Sequence, residues 1–507
     1  MVARLHAFPG GLVLPDHKQI SLERPLARCA LPERIFVPIG QHQGEAGTLL
    51  VEPGDRIRAG QPLTAADDDF QVPAHAPCAG TVLGLARRPI SHRSGRPGRC
   101  IEIRTCPDGP AAAPRPLSDW RRAGTDPLVD HLRRMGLAGL GGALFPTAAK
   151  LRGPWPRIHT LIVNGAECEP WISCDDSLMD ARPADIIAGG LVLAAAAGAE
   201  TLLVAVEDPL GRTAKALQQA ADALSGTTEV QVIKVPAIYP QGGERQLIQA
   251  LTGLEVPHDG LPQDLGLLCH NVATAAAAFD AVERGLPLTE RVVTVTGPGI
   301  GKPRNLITAI GTPISWLIAQ AGGYTDQARQ LIVGGPMAGT ALDSDDGVIS
   351  KGTNCLLVLD QPPPAPENTL PCINCGACVE VCPASLLPQL MFRALDGGRY
   401  EQARELALFD CIECGCCAQV CPSHLPLVEA YRHGKAELRL RDLDQRRAAL
   451  ARRRHEARQA RLAREQAERE ARRRARAERL REKAAAEDEI QAAIARARRK
   501  NHSPGKD

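Results

Sequence analysis

The chain has 507 residues, of which 44% are apolar and only 3% aromatic, and its formal net charge is +2. That length has room for about three or four domains, and the alanine-, glycine- and leucine-rich composition suits a soluble α/β body. A membrane-spanning role for the chain itself is not expected. The most apolar stretch, Ile186 to Val206, is broken at Gly189-Gly190 and again at Gly198-Ala199-Glu200. The N-terminus, MVARLHAFPGG, lacks an n-region followed by a continuous apolar core, so no signal peptide is expected. The near-neutral total hides an asymmetry: Lys435 to Asp507 carries 24 basic and 13 acidic residues, leaving 36 and 45 for the rest. Seventeen cysteines in such a chain point to a reducing compartment.

Residues 1–115 carry short β-type runs (Ile35 to Ile39, Thr48 to Val51, Gly80 to Leu85) separated by Gly and Pro. The segment VEPGDRIRAGQPL followed by VPAHAPCAGTV resembles the barrel-sandwich hybrid of biotinyl and lipoyl carriers. The resemblance places a lysine at the hairpin tip, where this chain has Ala66-Asp67-Asp68-Asp69-Phe70. A structural role without swinging-arm chemistry is therefore expected. Residues 120–287 alternate helix and strand patterns. The helices are near Leu128 to Met135, Ala184 to Ala197 and Thr213 to Ala223; the strands are His159 to Asn164, Thr201 to Glu207 and Val230 to Val235. This rhythm predicts a largely parallel sheet. Residues 288–360 return to β character around one helix, Ile314 to Ala321, and a proline linker, Gln361 to Glu367, follows.

Residues 368–430 contain one cysteine pattern twice. CINCGACVEVCP places thiols at Cys372, Cys375, Cys378 and Cys382, and CIECGCCAQVCP places them at Cys411, Cys414, Cys417 and Cys421. This is the C-x2-C-x2-C-x3-C-P run of two-cluster ferredoxins, whose fourth cysteine ligates the other cluster. One [4Fe–4S] centre is thus assigned to Cys372, Cys375, Cys378 and Cys421, and its partner to Cys411, Cys414, Cys417 and Cys382. Zinc knuckles or a disulfide framework are the bland alternatives, though zinc sites usually show separated C-x2-C pairs. Cys416 lies between two assigned ligands and is expected to be a bystander. Residues 431–507 lack proline until Pro504 and are rich in helix formers. They predict a long charged helix or a disordered tail, with apolar residues too sparse for a coiled-coil seam.

The most suggestive stretch of the body is GLAGLGGALFPTAAKL, Gly136 to Leu151. Its glycines permit close backbone approach to a ligand, and Lys150 offers a cation for a phosphate or ring carbonyl. It is not a Rossmann fingerprint, since G-x-G-x-x-G is unmatched. After the strand HTLIVN come Glu167, Glu169, Cys174, Asp175 and Asp176, placed where open α/β sheets hold ligands. Equally, Glu167 could cap a helix and Glu169 could be solvated. Together these residues resemble the flavin- and NADH-binding subunit of respiratory complex I. The resemblance assigns Gly139, Gly141, Gly142, Phe145 and Lys150 to an FMN/NADH loop, and carries over Asn164, Glu167, Glu169, Glu244, Asn271 and Thr274. Two family carboxylates are missing: Ala166 stands at one position, and Gly243 precedes a single retained Glu244.

The ordered set of a carrier-like N-terminus, GLGGALFPT, NGAECEP, YPQGGERQL, LCHNVATA, a β-grasp-like TGPGIGKPRN, twin ferredoxin motifs and an Arg-rich tail resembles the RnfC/RsxC family. That family supplies one component of the Rnf (Rsx) ion-translocating electron transport complex. The resemblance implies a peripheral subunit at the cytoplasmic face of the bacterial inner membrane, bound to other subunits and serving a ferredoxin-like carrier. It also implies an oxidoreductase in which NAD(H) exchanges electrons with FMN, with Glu167, Glu169 and Glu244 positioning the rings. Electrons would then cross two [4Fe–4S] clusters, and no side chain need act as a catalytic base. Competing readings are a soluble diaphorase subunit of a hydrogenase or formate dehydrogenase, and an Fe–S adaptor without flavin. The basic tail is open to lipid or partner docking; interspersed Glu and missing aromatics weigh against specific nucleic-acid binding.

Overall fold

The computed structural model describes residues 5–90, 97–207, 211–224, 226–361 and 369–500. The linker at Gln361 to Glu367 falls almost wholly outside them. Residues 1–432 form one compact unit and residues 433–507 another.

Strand β1 (Ala27–Arg28) is followed by β2 (Arg34–Pro38), β3 (Arg56–Ile57), β4 (Gly80–Arg88) and β5 (Gly98–Thr105). The last four form an antiparallel sheet in the order β2-β5-β4-β3 over a core of Ile35, Val37, Leu63, Val82, Ile101 and Ile103. Thr48 to Val51, expected as a strand, makes only one bridge, Leu49 to Thr64. Its neighbour Gly47 explains this, because the backbone there runs so close to the Ala65 carbonyl oxygen that a Cβ would sit 1.8 Å from it. Such an approach breaks a regular ladder.

The central body is a four-stranded parallel sheet in the order β8-β7-β6-β9. Its strands are β6 (Thr160–Gly165), β7 (Thr201–Val206), β8 (Glu229–Lys234) and β9 (Leu267–Asn271). The run Leu161-Ile162-Val163 is buried on both faces, as parallel strands under helices on both sides must be. Two helices, Pro183–Ala197 and Val272–Val282, pack so closely that a Cβ at Gly189 would lie 1.8 Å from the Ala275 carbonyl oxygen. Chain order runs outward from β6 to β7 and β8, then returns to place β9 on the opposite side. The crevice beyond the carboxyl ends of β6 and β9 is thus the topological switch point, and Asn164 and Asn271 are paired in register there.

A six-stranded sheet, β1-β11-β10-β14-β12-β13, follows. It is built from β10 (Glu290–Thr296), β11 (Arg304–Ala309), β12 (Gln330–Val333), β13 (Thr340–Leu342) and β14 (Cys355–Leu359), with β1 added along β11. Lys351 ties the three sheets together. It is fully buried and donates to the carbonyls of Pro73 (3.2 Å) and Gly136 (2.7 Å), while its own N–H meets Gln41 Oε1 at 3.0 Å. Burial pushes its pKa down from 10.5 to about 7. Between those values the unfolded chain holds more protons at this site than the folded chain, so stability rises with pH across the window. Lys351→Met removes that titration. The stability gap between wild type and variant, measured by denaturant unfolding, is expected to shift toward the wild type between about pH 6.5 and about pH 9.5. A gap independent of pH would contradict it.

The cysteine module repeats in conformation as well as in sequence. Asn374 and Glu413 both have φ +58°, Gly376 and Gly415 have φ +84° and +82°, and Ser385 and His424 have φ +51° and +49°. Each run closes with a single helical turn, Ala377–Glu380 and Cys416–Gln419. A helix, Leu427–Lys500, follows, and Leu443, Leu450, Leu462, Leu480, Ile490 and Ile494 on it are exposed. No helix of the described residues is long and apolar enough to cross a membrane.

Candidate functional site

The crevice at the ends of β6 and β9 is shaped by a small set of polar contacts. Asn271 caps the helix Val272–Val282 by accepting from the Ala273 N–H at 2.8 Å, and its amide donates to Asp175 at 2.5 Å. Thr274 Oγ1 accepts the Leu140 N–H at 2.9 Å, pinning the glycine loop to that helix. A Cβ at Gly141 would lie 3.2 Å from the Asn271 Cβ. Gly142 has φ +95° and open space where a side chain would be. Lys150 Nζ donates to Glu244 Oε1 and to the Cys269 carbonyl, both at 2.7 Å. Asn164 holds the 239–244 segment by donating to the Gly242 carbonyl at 2.8 Å. The structure thus brings Gly139, Gly141, Gly142, Lys150, Asn164, Glu244, Asn271 and Thr274 to one crevice. Thr147 Oγ1 and His270 Nε2, adjacent in sequence to this set, are buried without a hydrogen-bond partner among the described residues. The open space at Gly142, the exposed backbone of Gly141 and a lysine fit a polar planar group such as FMN.

Glu167 and Glu169 are placed differently from the ring-positioning role the resemblance implies. Glu167 accepts the Asp175 and Asp176 N–H groups at 3.1 and 3.2 Å, capping the helix Cys174–Ala181, and lies beside the buried Lys18. Burial raises its pKa, with the nearby Asp175 adding to the rise. Lys18 itself loses charge stability to burial but regains more from Asp176 and Glu167, so it stays protonated. Glu169 is not solvated: its carboxylate accepts the Met337 and Ala338 N–H groups at 2.8 and 2.9 Å. That loop touches the cysteine module, where a Cβ at Gly415 would meet the Met337 carbonyl at 2.9 Å. Glu169→Ala is expected to cost about 2 kcal/mol by leaving two amides unmet, with FMN affinity unchanged. A raised KM for NADH without loss of thermal stability would instead favour the ring-positioning role. Phe145 packs edge-on to Phe70 with centroids 6.3 Å apart.

The cysteines form two cavities. One is lined by Cys372, Cys375, Cys378 and Cys421, and the other by Cys382, Cys411, Cys414 and Cys417. Each is lined by thiols of one run together with the last thiol of the other, and the second also by Cys416. Four thiolates around one zinc stand within about 4 Å of each other, given Zn–S near 2.3 Å in a tetrahedron. Among the described residues, the sole group of three or more possible metal-ligating atoms within 4.8 Å of one another is Glu167, Cys174 and Asp175. The cysteines of the two runs do not form so tight a group among the described residues, and their C-x2-C-x2-C-x3-C-P spacing is that of a two-cluster ferredoxin. Cys416 is fully buried and borders the second cavity.

The second cavity faces the central body. Tyr239 donates its hydroxyl to the Cys414 carbonyl at 2.7 Å, Gln246 donates to the Pro383 carbonyl at 3.3 Å, and Gly11 N–H meets the Val381 carbonyl at 3.1 Å. The first cavity has an exposed rim, with Ile373 at 67% of full exposure. Sequence reasoning noted YPQGGERQL as a family motif but missed the bridging role of Tyr239, because its contact lies 175 positions away. A separate cavity of about 770 Å³ lies behind the glycine loop, reaching Leu140 and Ala273, and is lined by none of the residues selected from sequence.

Comparison with known proteins agrees with this division. Family models match for an RnfC barrel sandwich hybrid domain at residues 6–107 and a Nuo51 FMN-binding domain at 132–280. Further matches are an SLBB domain at 292–341 and a 4Fe-4S dicluster domain at 368–425. The chain therefore combines an FMN-binding module with an Fe–S dicluster module. The RnfC protein of Edwardsiella ictaluri, a component of the ion-translocating oxidoreductase complex, is 44% identical over 90% of this chain and 56% of its own length. Its counterpart in Pseudomonas aeruginosa is 44% identical over 90% and 58%. That of Pectobacterium atrosepticum is 42% identical over 98% and 71%. The chain thus spans little more than half the length of the first two relatives. Among solved structures, NAD+-reducing [NiFe]-hydrogenase in the H2-reduced state matches at 18% identity, over 64% of this chain and 63% of that one, with a TM-score of 0.45. The chain belongs to the RnfC family of ion-translocating oxidoreductase complex proteins.

Proposed function

We propose that this chain exchanges electrons between NAD(H) and FMN and passes them through two [4Fe–4S] clusters to other subunits of a membrane-bound, ion-translocating complex. Flavin can exchange hydride with nicotinamide and single electrons with iron–sulfur centres, so it converts two-electron into one-electron traffic. The chain's own residues supply position. The Gly139–Phe145 loop, held by Thr274, offers backbone at close range; Lys150, oriented by Glu244 and Cys269, offers a cation; Asn164 anchors the 239–244 segment and Asn271 caps the helix beside it.

The observation carrying this reading is that one six-residue segment touches both centres. Tyr239 bonds the backbone of Cys414, and Glu244 pairs with Lys150. On that geometry the Cys382/Cys411/Cys414/Cys417 cluster lies next to the flavin site, and the Cys372/Cys375/Cys378/Cys421 cluster is the outlet. Its exposed rim suits docking of a ferredoxin-like carrier. The complex would sit in the bacterial inner membrane with this protein on the cytoplasmic side, attached through its partners and, as a further contribution, by the Arg-rich helix. Anaerobic reconstitution with iron, sulfide and FMN tests the cofactor content. About eight irons and one flavin per chain are expected; full iron loading with no retained flavin would leave an Fe–S adaptor.

A further inference from the structure

The barrel-sandwich body has no carrier lysine, yet its tip lies against the glycine loop of the central body. One of its segments bonds the loop itself, and the other, the tip, touches it through Phe70 against Phe145 and pairs with Arg133 and Arg152 on either side of it. Gln43 donates its backbone N–H to the Leu144 carbonyl at 3.0 Å and its side-chain amide to the Ala143 carbonyl at 2.7 Å. Asp69 pairs with Arg152 at 2.9 Å, and Arg152 also binds Asp130 at 3.0 Å. Arg133 donates to the Ala66 carbonyl at 2.5 Å, so two arginines grip the tip from below. Phe70, 58% exposed, meets Phe145 edge to face. The two segments also support each other, since Val72 N–H donates to His42 Nε2 at 3.3 Å.

The contact falls where the loop needs it. Leu144 has φ +53°, a left-handed conformation that a branched side chain adopts only when its surroundings impose it. Gln43 bonds the carbonyls of both Ala143 and Leu144, and a Cβ at Gly352 would meet Leu144 at 2.8 Å. The strained turn that presents Gly141 and Gly142 is therefore held from outside the central body.

We propose that Gln43 and Asp69 of the barrel-sandwich body are positioning residues for the flavin site, fixing the Gly139–Phe145 loop in its binding shape. This rests on the assignment of that loop to FMN. A domain that in carriers brings a cofactor on its tip would here use the tip as a fixed wall beside one.

The test uses the full chain, reconstituted with clusters, and follows FMN binding by quenching of flavin fluorescence. Gln43→Ala and Asp69→Asn are each expected to weaken FMN binding about three- to tenfold, the loss of one or two hydrogen bonds. Asp69→Glu is expected to recover most of the affinity. Cluster absorbance and melting temperature should stay at wild-type values, and saturating FMN should restore kcat for NADH oxidation. Folded variants with FMN affinity within twofold of wild type would overturn the proposal. So would a loss of flavin that comes with lost clusters and lowered melting and is not recovered by Asp69→Glu. Wild-type protein that binds no FMN would instead sink the loop assignment on which the proposal rests.

Discussion

Cys382→Ala is expected to remove the cluster whose other three ligands lie some 30 residues further along the chain, and to spare the one in its own run. Iron should fall from about eight to about four per chain, and NADH-driven reduction of the remaining cluster should be lost, because the missing centre is the one beside Tyr239. Cys421→Ala should also halve the iron, but here the centre nearest the flavin survives and NADH should still reduce it. This asymmetry separates two ideas. Which centre survives in each variant tests the crossed ligation, and the unequal response to NADH tests the order of the centres. If Cys382→Ala instead destroyed the Cys372/Cys375/Cys378 centre, each run would be a self-contained site and the crossed cavities would be misread.

Lys150→Met should be nearly as damaging, at the other end of the path. The side chain satisfies Glu244 and the Cys269 carbonyl at once, and it brings a positive charge to the crevice. Removing a charged hydrogen-bonding group of this kind costs about 1.5 to 3 kcal/mol, which corresponds to roughly a 10- to 150-fold weaker hold on FMN. NADH oxidation should fall with flavin occupancy, while dithionite reduces both clusters as in wild type. A variant with full flavin occupancy and unchanged NADH oxidation would mean that Lys150 serves the Glu244 contact alone.

What could be read from the sequence differs by element, for physical reasons. The cysteine runs are legible in sequence because ligation imposes short, fixed spacings, and in the fold the last thiol of each run lines the cavity of the other run. The parallel sheet was readable because Leu161-Ile162-Val163 and Leu202 to Val206 must be apolar on both faces. Thr48 to Val51 misled because its β-type composition is overridden by the backbone approach at Gly47. Glu167 and Glu169 follow β6 in the chain, but their carboxylates are committed to backbone amides: one to a helix N-terminus, the other to the amides of residues 337 and 338. The helix cap, 8 and 9 positions away, is the alternative that the sequence left open for Glu167, whereas the Glu169 contacts lie 168 and 169 positions away and no local pattern announces them. The same holds for Lys18, Tyr239 and Gln43, each ordinary in sequence and each a joint between bodies. The tip Asp67-Asp68-Asp69-Phe70 was legible as a missing lysine, whereas its contact with the glycine loop was not.

The central claim is that flavin crevice and clusters form one conduit through the 239–244 segment. It is tested most directly by an anaerobic NADH pulse to the reconstituted chain, with and without FMN, followed by EPR of the clusters. Reduced-cluster signals are expected only when FMN is bound, with Cys382→Ala silent and Cys421→Ala still responding. Clusters that dithionite reduces but NADH never does, even with FMN bound, would contradict it.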